Sequence, residues 1–249
     1  MVEPLDICVM LGGPSREREV SLKSGAAVAS ALREIGHRVV EVDPADGRFE
    51  LPPNVDVVFL ALHGTYGEDG TVQSQLDKLG IPYTGCDAEV SRLAFDKAQT
   101  KRACAEAGLA LAKDQVVTAA NAAPPLGLSF PLVLKPVTQG SSVGLEFVEV
   151  ASAWPSGLAK AMACGGEILV EEKVVGREVT VGIVDGEPLP IVEIIPKVGA
   201  YDYANKYTVG ATEYVCPAEF DGPTTERIQT AAGRALSAGG RGSYARADF

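Results

Sequence analysis

Short apolar runs alternate with segments of helical spacing over the first third of the chain, and this alternation limits what the sequence can fold into. Asp6 to Leu11 reads as a buried strand and is followed by the turn Gly12-Gly13-Pro14-Ser15. Ser21 to Ile35 places Leu22, Ala26, Val28, Ala29, Leu32 and Ile35 at helical spacing, and Gly36 is a natural stop. His37 to Val42 and Val55 to Leu62 are further strands, the second ending at His63-Gly64. Thr71 to Leu79 carries Val72, Leu76 and Leu79 on one helical face. Short buried strands alternating with helices imply a parallel sheet, so residues 1–86 are expected to form an α/β domain.

The pattern then changes. Glu89 to Ala107 reads as one long helix, and the Ala/Pro-rich stretch from Ala119 to Gly127 reads as a loop. Strands are expected at Phe130 to Leu134, Gly144 to Val150, Glu167 to Glu172 and Arg177 to Val184. Asp185-Gly186 is a two-residue hairpin signal, with Leu189 to Pro196 continuing the second arm. This part reads as antiparallel, with helices on one side: α+β, in contrast to the first domain. The expected division is 1–86, 87–171 and 172–249.

Composition narrows the function classes. The 249 residues can bury a substantial core. Lys and Arg number 22 against 33 Asp and Glu, a formal charge of −11 that argues against non-specific binding to nucleic acid or an anionic membrane. No apolar run approaches the roughly 20 residues of a membrane span. The five cysteines form no Cys-x-x-Cys pair and read as free thiols, which fits a reducing cytoplasm. Two histidines are too few for a His-rich metal site.

Four clusters carry chemistry. The Gly12-Gly13 turn, between strand and helix, could offer backbone N–H groups to an anion or small ligand, or be only a tight turn. Ser15-Arg16-Glu17-Arg18-Glu19 then opens the helix; its carboxylates could cap the helix or hold the ammonium group of a zwitterion. In the second cluster, Lys135 ends a buried strand before Pro136-Val137-Thr138-Gln139-Gly140-Ser141-Ser142-Val143-Gly144. A Gly/Ser loop beside a lysine suits a phosphate cradle as well as a flexible connection, although its spacing is not that of a Walker loop. Lys97 and Lys101 would add cations there, or belong to a solvated helix face. The third cluster, Tyr201 to Tyr207, packs three tyrosines and Lys206 into seven residues, as a lid or a surface loop. The fourth is Ser243 to Phe249, where alternation puts Tyr244, Arg246 and Asp248 on one strand face. Arginine and aspartate together suit phosphate and Mg²⁺ chemistry, or form a surface ion pair.

Taken in order, these motifs resemble the D-alanine–D-alanine ligase family of the ATP-grasp superfamily. The resemblance rests on Leu11-Gly12-Gly13 with Glu17-Arg18-Glu19-Val20-Ser21, Ala61-Leu62-His63-Gly64 with Gly67-Glu68-Asp69-Gly70, Tyr83-Thr84-Gly85, Asp96-Lys97, and Lys135-Pro136 with Gly140 to Gly144. It continues through Gly176-Arg177-Glu178, Tyr201-Asp202-Tyr203, Lys206-Tyr207, Cys216-Pro217-Ala218 and Arg246-Ala247-Asp248-Phe249. It implies an α/β N-terminal domain followed by α+β ATP-grasp domains with an incomplete C-terminal lobe. The implied reaction is ATP-dependent joining of two D-alanines through an acyl phosphate, for peptidoglycan synthesis, in the cytoplasm. ATP and Mg²⁺ (or Mn²⁺) are the implied cofactors, and a homodimer the implied assembly.

The resemblance also distributes roles. Glu17 would hold the first substrate's ammonium group, His63 would anchor that end, and Ser141 would steady the Glu17 side. Lys97 and Lys135 would bind ATP phosphates. Glu171 and the Val174 backbone would meet adenine, and Glu178 the ribose. Lys206 would reach the γ-phosphate, Tyr207 would close over the second substrate, Arg246 would stabilise the tetrahedral intermediate, and Asp248 would bind the metal. Tyr207 fits the D-alanyl-D-alanine type better than the D-lactate type.

Some positions depart from the family. Glu172-Lys173 stands where many relatives have Lys-Trp, and Ala204-Asn205 replaces Glu-Ala. Relatives continue past Asp-Phe with Glu-x-Asn, Ser-Pro-Gly and a last helix, which bring further metal ligands and an oxyanion donor. The chain is therefore expected to be a truncated ligase with an open edge at its last strand and little or no turnover. Two other readings stand beside it: a non-catalytic ATP-binding fragment, and another ATP-grasp carboxylate–amine ligase.

Overall fold

A computed structural model describes residues 3–202, 205–206, 208–240 and 242–249. The chain divides into two compact units, 1–93 and 94–249.

The first unit is built on the expected parallel sheet. Strands β1 (Asp6–Met10), β2 (Arg38–Val42) and β3 (Val57–Leu60) stand in the order β2-β1-β3. Alternation in the central strand sends Ile7, Val9 and Leu11 to one face and Cys8 and Met10 to the other. Helix α1 (Arg18–Glu34) packs Leu22, Ala29 and Leu32 on the first face, and α2 (Thr71–Leu79) packs Val72 and Leu76 on the second. Left-handed glycines, Gly70 at φ 84° and Gly80 at φ 67°, bracket α2. Each has the φ that a residue with a Cβ adopts only at a cost.

The stretch expected as one helix from Glu89 to Ala107 is two helices, α3 (Ala88–Phe95) and α4 (Lys97–Glu106). Asp96 breaks it: its backbone is extended, and its side chain accepts a bond from the N–H of Gln99. The aspartate caps a new helix, which spacing of apolar residues alone does not reveal.

In the second unit, β4 (Asp114–Val117), β5 (Leu132–Pro136), β6 (Glu146–Val148) and β7 (Ile168–Glu172) form an antiparallel sheet in the order β4-β7-β5-β6. Helix α5 (Trp154–Met162) covers one face, burying Leu132, Leu134, Ile168 and Val170 beneath Trp154 and Leu158. Period-two alternation therefore turns Lys135 and Glu171 to the opposite face. A second sheet has the order β11-β10-β8-β12, from β8 (Glu178–Val184), β10 (Val192–Pro196), β11 (Thr212–Val215) and β12 (Tyr244–Asp248). Helix α6 (Gly222–Gly239) packs Ile228, Ala232 and Leu236 against Val179, Val181 and Ile183. Strand β12 lies at the sheet edge.

The Asp185-Gly186 turn forms as expected, with φ of 50° and 85°, and pairs Val184 with Glu187 in the short β9 (Glu187–Pro188). The second arm is not continuous, however. It stops at Pro188 and resumes as β10, which pairs with the other end of β8. Helices α5 and α6 and strands β4 and β11 are additions to the expected elements.

Helix α1 approaches β1 closely at Gly25, where a Cβ would lie 2.3 Å from the Cβ of Leu11. Alanine gains about 1 kcal/mol of helix propensity over glycine, but overpacking a core costs about 1–3 kcal/mol. Gly25→Ala is therefore expected to lower the melting temperature by a few degrees, as followed by circular dichroism. An unchanged or higher value would show that the helix has room to withdraw.

Candidate active site

The Gly12-Gly13 turn does not present its N–H groups outward. Gly12 N–H donates to Ser21 Oγ (2.8 Å), which in turn donates to Ala61 O (2.6 Å). Gly13 N–H donates to Asp43 Oδ1 (3.0 Å), and Arg18 clamps the same carboxylate while donating to Gly13 O (3.0 Å). The anion-site reading of this turn is thus replaced by a structural one. Both donors are consumed by side chains from other segments.

Glu17 does not cap its helix by its side chain, although it occupies the N-cap position. It is 8% exposed, and its carboxylate lies against Gly64, where a Cβ would come within 2.4 Å of Oε2. Ser15 Oγ accepts from Glu17 N–H (3.1 Å) and donates to His63 O (2.6 Å), tying this segment to the end of β3. His63 is held by Ser24 Oγ at Nε2 (3.0 Å) and by Glu68 at Nδ1 (3.7 Å). The bond to Glu68 raises the histidine's pKa, burial opposes this, and Glu68 and Glu17 add their negative charge. Glu17 and His63 thus share one end of the parallel sheet, and Ser24 and Glu68 are partners that reading by motif missed.

The other candidates lie in the second unit. Glu171 is the centre: Lys135 Nζ meets Oε2 at 2.6 Å and Lys101 Nζ meets Oε1 at 2.6 Å. Burial works to raise this carboxyl, but the two lysines outweigh it and hold it below the usual carboxylate range. Lys97, at the start of α4, donates its ammonium to Gln139 O, and its N–H to Val137 O (3.1 Å). Burial, then Lys135, brings its pKa down to about 8. The loop it holds contains Ser141 at φ 46° and Ser142 at φ 61°, two successive non-glycine residues in the left-handed region. Gly144 closes this loop, and a Cβ there would fall 2.7 Å from both Pro136 and Cys164.

On the second sheet, Asp248 pairs with Thr180 in register and accepts from its hydroxyl (2.7 Å), while Arg246 Nε lies 2.9 Å from the same carboxylate. Glu178 is on the same strand, two residues before Thr180, and shares its face. Burial, and then the charge of Asp248, push its carboxyl up, against Lys206 and Lys135. Lys206 lies 4.9 Å over the Tyr201 ring, and Tyr201 OH meets Tyr214 OH at 2.9 Å. Val174 is 75% exposed in the turn after β7. Tyr207 and Tyr203 lie outside the described residues. All five cysteines are free thiols. Among the described residues no group of three or more metal-binding side chains is assembled, and no helix is long and apolar enough to cross a membrane.

Comparison with known proteins shows the family. The family model described as "D-ala D-ala ligase C-terminus" matches residues 106–249, and "D-ala D-ala ligase N-terminus" matches 37–86. The chain belongs to the D-alanine–D-alanine ligase family. It is 41% identical to the D-alanine–D-alanine ligase of Methylacidiphilum infernorum over 246 residues, covering 99% of this chain and 80% of the relative. It is 47% identical to that of Aquifex aeolicus over 214 residues, 84% of this chain and 72% of the relative. The crystal structure of the Bacillus anthracis ligase superposes with a TM-score of 0.84 at 31% identity, over 98% of this chain and 82% of that one. A structure of the same ligase complexed with ATP gives 0.81 at 28% identity, over 98% and 81%. The ATP-grasp fold follows from these matches, and the two sheets of residues 114–248 are its sheets here.

A raised histidine pKa links protonation to stability. The His63 contribution is fully present below the unfolded value of about 6.5 and is lost as pH rises through the folded value. Glu68→Gln is expected to bring the His63 pKa down in an NMR titration and to weaken pH-dependent stability in urea unfolding between acid and neutral pH. A titration midpoint that does not move would show that Glu68 is not the partner.

Proposed function

We propose that the chain carries out ATP-dependent ligation of two D-alanines to D-alanyl-D-alanine, the reaction of its family. The observation that carries this reading is the lysine array of the second unit, with Lys97 and Lys135 beside a Gly/Ser loop and Glu171 offsetting part of their mutual repulsion. Such an array suits nucleotide phosphates. The ATP complex of the Bacillus anthracis relative supports the choice of nucleotide.

The chemistry has two displacements. A carboxylate oxygen of the first D-alanine takes the γ-phosphoryl group, and ADP leaves. The amine of the second then attacks the carbonyl carbon and inorganic phosphate departs, which replaces a poor oxide leaving group by a good one. In this reading Glu17 holds the first ammonium group beside His63, with Ser141 steadying that side. Lys97, Lys135 and Lys206 neutralise phosphate charge. Glu171 and the Val174 backbone meet adenine, Glu178 the ribose hydroxyls, Tyr207 closes over the second substrate, and Arg246 faces the charge that develops on the tetrahedral intermediate. Magnesium would supply charge neutralisation at the phosphates, with Asp248 as its protein ligand. Asp248 and Glu178 lie close enough for the charge of the first to act on the second, and carboxylate oxygens suit a hard cation. The further parts of this reading are a homodimer, a cytoplasmic setting for the free thiols, and domains over 1–86, 87–171 and 172–249.

Isothermal titration with Mg-ATP tests the reading. The chain is expected to bind, and Lys135→Ala and Lys97→Ala are each expected to lose tenfold or more in affinity, since each removes about 1.5–3 kcal/mol of charged hydrogen bonding. Lys97 is charged below its pKa of about 8, so affinity should also fall as pH rises past that value. D-alanine-dependent phosphate release then distinguishes ligation from nucleotide binding alone. A folded chain that ignores Mg-ATP overturns the reading.

A further inference from the structure

Lys101 was expected either as one more phosphate cation or as part of a solvated helix face. It is neither. Its side chain is only 14% exposed, against 37% for Lys135. Its ammonium donates to Glu171 Oε1 at 2.6 Å and to Ala112 O at 2.8 Å, and forms an ion pair with Asp114 Oδ1 at 3.1 Å. A lysine buried against two carboxylates and a carbonyl is committed to the protein and not to a phosphate. It lies one turn along α4 from Lys97, and Asp114 stands directly opposite Glu171 in the β4–β7 register. The series is thus Asp114, Lys101, Glu171, Lys135, with the two inner members buried (14% and 11% exposed) and the two outer ones open to 30% and 37%.

We propose that Lys101, seated by Asp114, is a positioning residue: it holds Glu171 so that the second carboxylate oxygen fixes the Lys135 ammonium toward the nucleotide. This rests on the nucleotide reading above. Lys101 keeps one oxygen of Glu171 turned to β4 and α4, which leaves one for Lys135. Without Lys101 the carboxylate loses one of its two cations while staying buried. It would rotate onto Lys135 with both oxygens or take up a proton, and in either case Lys135 is no longer held as before. The charged groups facing Glu171 are Lys101 and Lys97 from α4, Asp114 from β4 and Lys135 from β5.

Two measurements test this, one of them without ligand. In the ligand-free chain, the Glu171 carboxyl ¹³C resonance, assigned by its loss in Glu171→Gln, is expected to titrate at higher pH in Lys101→Met than in the unaltered protein, and to return in Lys101→Arg. A midpoint that stays put in Lys101→Met overturns the proposal, whether or not nucleotide binds. With Mg-ATP, Lys101→Met is expected to weaken binding about tenfold, and Lys101→Met combined with Glu171→Gln to bind no more weakly than Glu171→Gln alone. Additive losses overturn it, because Lys101 would then act independently of Glu171. Absence of ATP binding in the unaltered chain would fall on the nucleotide reading, and the titration would still decide the role of Lys101. Thermal unfolding of each variant separates these outcomes from misfolding.

Discussion

A buried carboxylate between two lysines organises the second unit. Moving a lone carboxylate out of water costs several kcal/mol even after the protein relaxes, so Glu171 can occupy the centre of a sheet only if its charge is met on site. The sheet brings this about by geometry. Val133 of β5 pairs with Glu171, so Lys135, two residues further along β5, is its diagonal neighbour on the same face. On the other side β4 delivers Asp114 directly opposite, and α4 is drawn against the sheet edge by Lys101, which bridges the two acids. Lys97 lies on the same helix, and Glu171 partly offsets the repulsion between its ammonium and that of Lys135. Two acids, Glu171 at the centre and Asp114 beside it, thus let three cations gather in this unit.

The first unit places its acid by a different means. Among the described residues it buries one carboxylate, Glu17, at a sheet end where the neighbouring polar groups are tied to one another. Ser21 bridges Gly12 and Ala61 across the sheet end, and the Arg18–Asp43 pair locks Gly13. These bonds set the path of residues 12–18 and so the place where Glu17 departs from the backbone. Gly64 completes the arrangement by having no side chain, since a methyl group there would occupy the volume of the carboxylate. Residues that touch no substrate in the proposed reaction therefore determine where its ammonium-binding carboxylate can stand.

Much of this was legible in the sequence, and the exceptions have physical causes. The parallel sheet followed from alternation because its strands and helices are local patterns, and the Asp185-Gly186 turn followed because left-handed backbone needs those residue types. Lys97 and Lys135 were flagged by their setting beside a Gly/Ser loop. What failed was anything that depends on a distant partner. The donors of Gly12 and Gly13 are taken by residues 9 and 30 positions away. Lys101 meets Glu171 across 70 positions, so nothing in its own helix distinguishes it from a solvated lysine. The break at Asp96 went unread for a different reason: apolar spacing runs straight through it, and only the capping bond reveals it. Helix α6 escaped because just one of its residues, Ala232, is fully buried, so its apolar stripe is thin.

The loop from Val137 to Gly144 shows how these constraints meet. Left-handed backbone at two adjacent serines costs on the order of 1–3 kcal/mol each, and it persists only where the surroundings enforce it. Within the loop, Val143 N–H donates to Gly140 O at 3.0 Å and Leu145 N–H to Ser142 O at 3.2 Å. From outside, Pro136 and Cys164 leave no room for a side chain at Gly144, and the Lys97 ammonium grips Gln139 O. The last contact differs from the others because its donor carries a charge and sits where burial and Lys135 already strain that charge. A phosphate oxygen offers this ammonium a better partner than a peptide carbonyl does, because both ions gain from the pairing. In the proposed reading the loop carbonyl and the phosphate therefore share one ammonium, whose three protons can serve both.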